Sequence, residues 1–164
     1  KLGYRKAIES DADIVVQMDA DLSHSPKYIP EFLQQLENTD IVVGSRYIEG
    51  GKVDRNWNIL RKMISKLGAV SIRLVTGLKV KDTTSGFALF RRKVLADIFH
   101  QLDPKGFKFL LEVLVKTSNA RIKEVPITFQ NRSSGTSKFN FQEVIVFIRL
   151  CIKLRQHQSR KTVR

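Results

Sequence analysis

Two short apolar runs constrain the fold of this chain more than any other feature. They are Ile14–Met18 and Asp40–Val43, and a segment of helical pattern lies between them. Apolar runs bounded by acidic residues or glycine are typical of buried strands, and buried strands that alternate with helices build a parallel sheet. We therefore expect an α/β domain whose mostly parallel sheet is flanked by helices.

The rest of the chain continues this alternation of helices and strands. Further strands are predicted at Ser85–Arg92 and Arg121–Phe129, and Pro126 indicates that the second of these lies at a sheet edge. Ser25 is the expected N-cap of the helix that begins at Pro26. The predicted helices are Leu2–Ser10, Pro26–Asn38, Ile59–Thr76, Val94–His100, an amphipathic Phe107–Ser118, and Phe141–Leu154.

Charge and cysteine content narrow the classes of function. A net charge of +13 over 164 residues needs an anionic partner or another explanation, and the candidate partners are nucleic acid, an anionic membrane surface and phosphorylated substrates. Aromatic residues do not interleave with the basic ones, so an RNA-binding surface is not expected. The single cysteine, Cys151, excludes an internal disulfide framework and a cysteine-based zinc site.

The tripeptide Asp-Ala-Asp occurs twice, on either side of the first predicted strand. Asp11–Asp13 precedes this strand and Asp19–Asp21 follows it. The strand is about 17 Å long at ~3.3 Å per residue, so the two copies cannot share a site. Ligands of open α/β sheets bind at the carboxyl ends of strands. The second copy is therefore the functional candidate, and the first is interpreted as a solvated turn.

The segment "MDADLSHSPKYIPEF" (Met18–Phe32) resembles the metal-binding motif of GT-A-fold glycosyltransferases of family 2. The resemblance is strongest to the branch of dolichol-phosphate mannosyltransferases and other polyprenyl-phosphate glycosyltransferases. Further segments agree in order and spacing: "VVGSRY" (Val42–Tyr47), "WNILRKMIS" (Trp57–Ser65), "DTTSGFALFRR" (Asp82–Arg92), "GFKFLLEVL" (Gly106–Leu114), "EVPITFQNR" (Glu124–Arg132) and "GTSK" (Gly135–Lys138).

The resemblance implies a GT-A, Rossmann-like domain over residues 1–138, followed by an amphipathic helix and a basic tail over residues 139–164. Family members carry further strands upstream with a nucleotide-binding motif, so we expect the chain to be N-terminally incomplete and to lack the first strands. The implied activity is inverting transfer of a hexose, mannose from GDP-mannose, to a polyprenyl or dolichyl phosphate. UDP-glucose or another UDP-sugar is the alternative donor. A catalytically incomplete domain that binds membrane surfaces is a second alternative.

A divalent ion, Mg²⁺ or Mn²⁺, is expected to neutralise the diphosphate that leaves from the sugar nucleotide. By resemblance, Asp19, Asp21 and Ser23 are the expected metal ligands, and Ala20 joins the two aspartates in contacting the donor. Ser23 fits equally well as a turn or capping serine. His24 fits either a general base or a loop histidine, and the loop histidine is the preferred interpretation.

An acceptor phosphate is already anionic, so its site needs cations and hydroxyl groups more than a base. Arg61 and Ser65 lie one helical turn apart and can reach one phosphate together. The resemblance implies that Arg46, Arg61, Ser65 and Arg132 bind the acceptor phosphate. It also implies that Arg46, Arg132 and Lys138 contact the donor, and that Asp21, Arg46 and Arg132 are the catalytic residues.

Three further residues keep two interpretations each. Asp82 fits a hydrogen-bond partner for an acceptor-site residue or a loop cap. Glu112 lies on an apolar helix face, where an isolated carboxylate is unfavourable, so it either pairs with an arginine or faces the sugar. Trp57 fits core packing or a contact with lipid.

The apolar helix Val144–Leu154 carries Arg149 and Lys153, and no acidic residue follows Val144. Its ~16 Å length is far below the ~30 Å hydrocarbon core, so no transmembrane segment is predicted. A helix in the membrane interface with a polybasic tail is expected, and packing on its own sheet is the alternative. We expect a peripheral protein at the cytoplasmic face of a membrane, with a separate membrane-anchoring subunit as a further partner and no nucleic acid.

Overall fold

The computed structural model describes residues 2–54, 59–102, 109–117 and 119–130, with side chains of the third helix described from residue 62 onward. The helices are α1 (Leu2–Glu9), α2 (Ile29–Leu36), α3 (Ile59–Thr76), α4 (Arg92–Ile98) and α5 (Phe109–Lys116). The strands are β1 (Ile14–Gln17), β2 (Ile41–Ser45), β3 (Lys52–Val53), β4 (Ala88–Arg91), β5 (Ile122–Pro126) and β6 (Thr128–Phe129). Short 3₁₀ helices cover Pro26–Tyr28 and Phe99–Gln101.

Four of the described strands form one mixed sheet in the order β1, β4, β2, β5. Strands β1, β2 and β5 run in one direction, and β4 is inserted antiparallel between β1 and β2. The expected parallel arrangement therefore holds for three strands. Strand β4 is reversed because the chain leaves α3 and enters the sheet from the edge where β2 ends. Strands β3 and β6 form a separate parallel pair.

Helices cover both faces of this sheet, which gives an α/β/α layering. Ile41 and Val43 of β2 pack with side chains of α1, α4 and α5 on one face. Val42 packs with Phe32 and Leu36 of α2 on the other face. Burial of an apolar side chain of this size contributes about 1.5–3 kcal/mol. Every residue of β2 is buried, as its unbroken apolar run predicts.

The burial of two elements differs from the prediction: β1 is more exposed and α5 is more buried. Strand β1 was expected to be buried, but it lies at an edge of the described sheet and Val16 is 43% exposed. The helix expected as amphipathic at Phe107–Ser118 is described as α5, and all its residues from Leu110 to Lys116 are buried. It is covered on one side by the sheet and on another by Ile72 of α3.

The remaining boundaries agree closely with expectation. Helix α3 has the predicted bounds, and Pro126 ends β5, an edge strand of the described sheet. The helix expected from Pro26 begins as a 3₁₀ helix and continues as α2 to Leu36. Ser25 occupies its N-cap position with extended backbone, but its side chain forms no capping hydrogen bond.

Candidate active site

The site lies at the edge of the sheet where β1 and β2 end and β4 begins. Asp19 and Asp21 follow β1, and Arg46 follows β2 directly. Because β4 is antiparallel, the residues that precede it, including Asp82 and Gly86, reach the same edge. The reversed strand therefore adds a third loop to the two that the sequence places there.

The loop after β1 turns sharply around Leu22. Leu22 has a φ of 63°, and it is the only non-glycine residue with positive φ among those described. Left-handed backbone is unfavourable for a leucine, and such residues are concentrated at functional sites. The turn allows the carboxylate Oδ1 of Asp21 to accept the N–H of Ser23 at 3.1 Å. The side chain of Asp19 remains 47% exposed.

Ser23 has a buried hydroxyl without a hydrogen-bond partner among the described residues. Its main chain is fixed, because its carbonyl accepts the N–H of Gln130 at 3.0 Å. The buried hydroxyl is compatible with a ligand of a divalent cation, and the hydrogen bond from the Ser23 N–H to Asp21 is compatible with a turn serine, so both interpretations stay open. The described residues contain no cluster of three or more His, Cys, Asp or Glu that could hold a metal by itself.

Gly86 lies against the carboxylate of Asp19. A Cβ atom at position 86 would come within 2.5 Å of Asp19 Oδ2 and 2.8 Å of its Cγ. Gln17 of β1 also contacts the segment before β4, because its Nε2 donates to the Gly86 carbonyl at 3.3 Å. The glycine is thus required by close approach, and it gives the Asp19 carboxylate its place at the mouth of the site.

His24 is a buried support for the loop and is not exposed to solvent. Its side chain is 1% exposed, and its ring packs against Phe87 at 5.3 Å and Phe129 at 5.1 Å between centroids. Burial lowers the pKa of His24 in spite of the neighbouring carboxylate of Asp19. The neutral ring accepts the backbone N–H of Asp19 at Nδ1, 3.4 Å away. This placement supports the loop-histidine interpretation.

Arg46 and Asp82 form a buried, bidentate ion pair. Arg46 Nε lies 2.7 Å from Asp82 Oδ2, and Nη2 lies 2.8 Å from Oδ1. Burial alone would lower the pKa of Arg46, but the hydrogen bonds and charge of Asp82 outweigh it and hold the pKa above its ordinary value. Phe129 contacts both the guanidinium of Arg46, at 5.5 Å, and the ring of His24. The arginine is therefore a fixed cation beside the aspartate loop, and Asp82 is its hydrogen-bond partner.

Ser65 of α3 is joined to this cation through Tyr47. The Tyr47 hydroxyl and Ser65 Oγ lie 2.6 Å apart, and the Arg46 guanidinium lies 5.0 Å from the Tyr47 ring centroid. The structure thus brings two of the expected phosphate contacts, Arg46 and Ser65, to one place. Arg61 lies one turn before Ser65 in α3, and its side chain is outside the described part.

The first Asp-Ala-Asp copy lies at the opposite edge of the sheet. Strand β1 separates Asp11 and Asp13 from the second copy, and both are exposed. The carbonyl of Asp13 accepts the N–H of Arg92 at the start of α4. These carboxylates are surface residues of a turn, as expected.

Among the described residues, Glu112 pairs with Lys116. Its Oε1 lies 2.5 Å from Lys116 Nζ within α5, and both side chains are buried. Lys116 also donates to the carbonyl of Gln101. In the part of the chain that is described, no helix is long and apolar enough to cross a membrane. The expectations for Trp57, Arg132, Lys138 and the helix Phe141–Leu154 lie outside the described residues.

Sequence reasoning assigned no role to three residues of the site: Gly86, Tyr47 and Glu124. Glu124 of β5 accepts the backbone N–H groups of Lys81 and Asp82. All three belong to segments that carry the family resemblance, and this membership was the only sign in the sequence that they could belong to the site. Their roles depend on contacts between elements distant in sequence, which no local pattern encodes.

Comparison with solved structures confirms the α/β fold of the GT-A type. Glucosyl-3-phosphoglycerate synthase from Mycobacterium tuberculosis, solved with phosphoglyceric acid, matches with a TM-score of 0.60 and 18% identity over 93% of this chain and 51% of that one. The same enzyme solved with Mn²⁺, UDP-glucose and glycerol 3-phosphate gives a TM-score of 0.59. At this identity the likeness concerns the fold alone.

Sequence comparisons identify the family. The profile described as Glycosyl transferase family 2 matches residues 6–99. A dolichol-phosphate mannosyltransferase from Pyrococcus furiosus is 40% identical over 89% of this chain and 42% of its own length. An undecaprenyl-phosphate mannosyltransferase from Micrococcus luteus is 39% identical over 84% of this chain and 58% of its own length. The chain spans about half the length of these curated relatives. It belongs to glycosyl transferase family 2.

Proposed function

We propose that the protein transfers mannose from GDP-mannose to a polyprenyl phosphate at a membrane surface, with inversion at the sugar. The observation that carries this proposal is the meeting, at one sheet edge, of an aspartate pair and a buried arginine. Asp19 and Asp21 suit a cation bound to a diphosphate, and Arg46 with Ser65 suits a second phosphate. Two relatives near 40% identity, both named as mannosyltransferases acting on polyprenol phosphates, support the sugar and the acceptor.

The residues at the site fit a divalent metal ion of the kind expected. Mg²⁺ is typically held by one or two carboxylates together with phosphate oxygens of the substrate and water. Asp19 and Asp21 would provide the carboxylates, and the hydroxyl of Ser23, which has no hydrogen-bond partner among the described residues, would provide a further oxygen. When bound, Mg²⁺ or Mn²⁺ supplies positive charge that stabilises the departing nucleoside diphosphate. A solved enzyme of the same fold contains Mn²⁺ with UDP-glucose, which supports use of such an ion.

The proposed transfer does not need a strong general base, because the acceptor phosphate is already anionic. An oxygen of the acceptor phosphate forms a bond to the anomeric carbon while the bond from that carbon to the donor diphosphate breaks. Arg46 and Ser65 would hold the acceptor phosphate, with Arg61 from the same helix as Ser65. A positioned guanidinium lowers the repulsion between the two anionic substrates and orients the attacking oxygen. We assign Asp21, Arg46 and Arg132 as catalytic residues, and Lys138 with Ala20 to the donor.

The exposed surface of α3 supports a location at a lipid surface. Met63, Leu67, Val70 and Leu74 form a stripe along this helix, with exposures of 56, 60, 39 and 82%. Their spacing of three and four residues puts them on one helical face. A helix with an apolar face and flanking basic residues is typical of binding at the membrane interface. Ser65 lies on the other face of the same helix, where its hydroxyl meets Tyr47.

A UDP-sugar is the second candidate donor, since a solved neighbour of the same fold binds UDP-glucose. The relatives named for mannose share twice the sequence identity of this neighbour, so mannose is preferred. Parallel assays with GDP-mannose, UDP-glucose and UDP-N-acetylglucosamine decide between the donors. Formation of a glucosyl lipid without a mannosyl lipid would reject GDP-mannose.

The decisive experiment compares the two Asp-Ala-Asp copies in the full-length protein. Formation of mannosyl lipid and release of GDP are measured with a polyprenyl phosphate and Mg²⁺ or Mn²⁺. Asp21→Ala and Asp19→Ala are expected to lower the rate roughly a hundredfold or more, and EDTA to abolish it. Asp11→Ala and Asp13→Ala are the matched controls and should retain wild-type rates. A wild-type protein that binds lipid but transfers no sugar would favour the non-catalytic membrane-binding domain.

A further inference from the structure

The orientation of Arg46 depends on Asp82. Asp82 accepts hydrogen bonds from the backbone N, Nε and Nη2 of Arg46, at 3.0, 2.7 and 2.8 Å. The Asp82 side chain is fully buried, and that of Arg46 is 8% exposed. A bidentate pair fixes both the position and the plane of a guanidinium. Any residue that holds Asp82 in place therefore also determines where the Arg46 cation points.

Asp82 lies in the segment between α3 and β4, outside regular secondary structure. This segment is held by Glu124. Its Oε2 accepts the N–H of Lys81 at 2.8 Å, and its Oε1 accepts the N–H of Asp82 itself at 3.0 Å. Both oxygens of one carboxylate are thus used on two successive backbone donors. Hydrogen bonds to an ionised acceptor are shorter and stronger than those to a neutral one.

Glu124 belongs to a rigid part of the fold. It lies on β5 opposite Val43 of β2, and Ser45, the last residue of β2, lies opposite Pro126. Arg46 follows Ser45 directly. The contacts therefore form a closed ring that runs from β5 through Glu124, Asp82 and Arg46 and returns along β2. A ring anchored on two paired strands leaves little freedom for the guanidinium.

We propose that Glu124 is a positioning residue that acts through Asp82 to aim Arg46 at the acceptor phosphate. This inference rests on the proposed function, since it assigns the arginine to an anionic acceptor. Glu124 itself does not touch the acceptor, because both its oxygens are bound to the backbone of the loop. Loss of Glu124 should thus impair acceptor binding more than donor binding.

A purely structural role for Glu124 is the alternative, and the chain offers a matched control for it. Asp40 joins the same two strands at their other end. It accepts the backbone N–H of Arg121 at 2.8 Å and pairs with the Arg121 guanidinium. Asp40→Ala therefore removes a comparable number of hydrogen bonds to a carboxylate near β5 without touching the loop of Asp82.

The test uses the full-length protein with Glu124→Ala, Glu124→Gln and Asp40→Ala. We expect Glu124→Ala to raise the KM for polyprenyl phosphate at least about tenfold, with the KM for the sugar nucleotide nearly unchanged. Glu124→Gln should give an intermediate value, because its amide keeps one acceptor oxygen for the two N–H groups. It also serves if the alanine variant does not fold. Asp40→Ala should leave both KM values at the wild-type level.

A second readout is independent of activity. The Nε–H signal of Arg46 is followed in ¹⁵N spectra, assigned by its loss in Arg46→Lys. In the wild type it should exchange slowly with water, since it is buried and bonded to Asp82, and in Glu124→Ala it should exchange faster. An unchanged signal and acceptor KM in both Glu124 variants, or equal effects of Asp40→Ala, would refute the inference. A wild type without transfer activity would contradict the proposed function, and the Nε–H signal would still decide whether Glu124 positions Arg46.

Discussion

The position of the Asp19 carboxylate depends on residue 86 being a glycine, which has no side chain. Gly86 lets the chain that enters β4 pass so close to Asp19 that no Cβ fits between them. His24 fixes the main chain of Asp19 by accepting its N–H, and the positive φ of Leu22 bends the loop back toward Ser23. Three residues without any charge at neutral pH thus arrange the charged ones. At the scale of single residues, the site depends as much on small and neutral neighbours as on its aspartates.

Gly86→Ala should impair metal binding without unfolding the protein. The added methyl group must displace the Asp19 carboxylate, because that carboxylate is the nearest group to it. We expect weaker binding of Mn²⁺ by calorimetry and a transfer rate lowered roughly ten- to a hundredfold. Gly3→Ala is the control, since a Cβ at Gly3 meets nothing within 4 Å. Unaltered Mn²⁺ binding in Gly86→Ala would contradict this account.

At the scale of elements, α5 contains a charged pair in an otherwise apolar environment. Glu112 and Lys116 lie one turn apart, buried among the residues that pack on the sheet and on α3. A buried pair contributes little net stability compared with apolar residues, but a single remaining charge is strongly unfavourable. The pair therefore has to be treated as one unit.

Lys116→Met should destabilise the protein by about 3–5 kcal/mol, because it removes the ammonium group that pairs with the buried Glu112 carboxylate. The double variant Glu112→Leu with Lys116→Met should recover most of this loss. Free energies of unfolding from urea titrations, at equal m-values, provide the measurement. A double variant less stable than Lys116→Met would show that the two charges have separate partners.

The start of β2 is tied to the start of β5 by Asp40 and Arg121. Hydrogen bonds from Arg121 hold the pKa of Asp40 below its ordinary value. Since the folded pKa is the lower one, the pair stabilises the fold at neutral pH, and this contribution is lost as the pH falls from about 4 through the folded value. Urea unfolding of the wild type and Asp40→Asn should show a constant difference between pH 7 and 5 that shrinks below about pH 4. A difference independent of pH would contradict this role.

At the scale of the whole molecule, positive charge and an exposed apolar stripe occur together. The net charge is +13, and α3 exposes Met63, Leu67, Val70 and Leu74 to solvent. Attraction to anionic lipid would bring the protein to a membrane, and burial of the stripe would hold it there.

The double variant Leu67→Glu with Leu74→Glu should bind vesicles of phosphatidylcholine and phosphatidylglycerol roughly tenfold or more weakly, as measured by co-sedimentation. Each leucine loses apolar burial worth about 1.5–3 kcal/mol. Binding of the wild type should also fall with salt. Leu2→Glu is the control, since Leu2 is similarly exposed, at 68%, on another helix. Equal binding by the double variant would exclude the stripe as the lipid contact.

The sequence alone determined most elements and which copy of Asp-Ala-Asp lies at the carboxyl end of β1. Helix α3 and strand β2 were predictable because their apolar periodicity is local, and local periodicity fixes secondary structure. The choice of Asp19 and Asp21 followed from chain direction, since residues after a strand must lie at its carboxyl end. The resemblance to family 2 also came from the sequence, through motifs whose order and spacing agree.

Only the tertiary structure decided how these elements meet. The reversal of β4, the burial of α5 on several sides and the exposure of β1 depend on which surfaces become neighbours, and this is a property of the whole packed chain. The ring of Glu124, Asp82 and Arg46 joins residues 36 and 42 positions apart by hydrogen bonds. The contact of Gly86 with Asp19 is of the same kind. Such contacts arise from the shape of the folded chain, so periodicity and spacing cannot encode them.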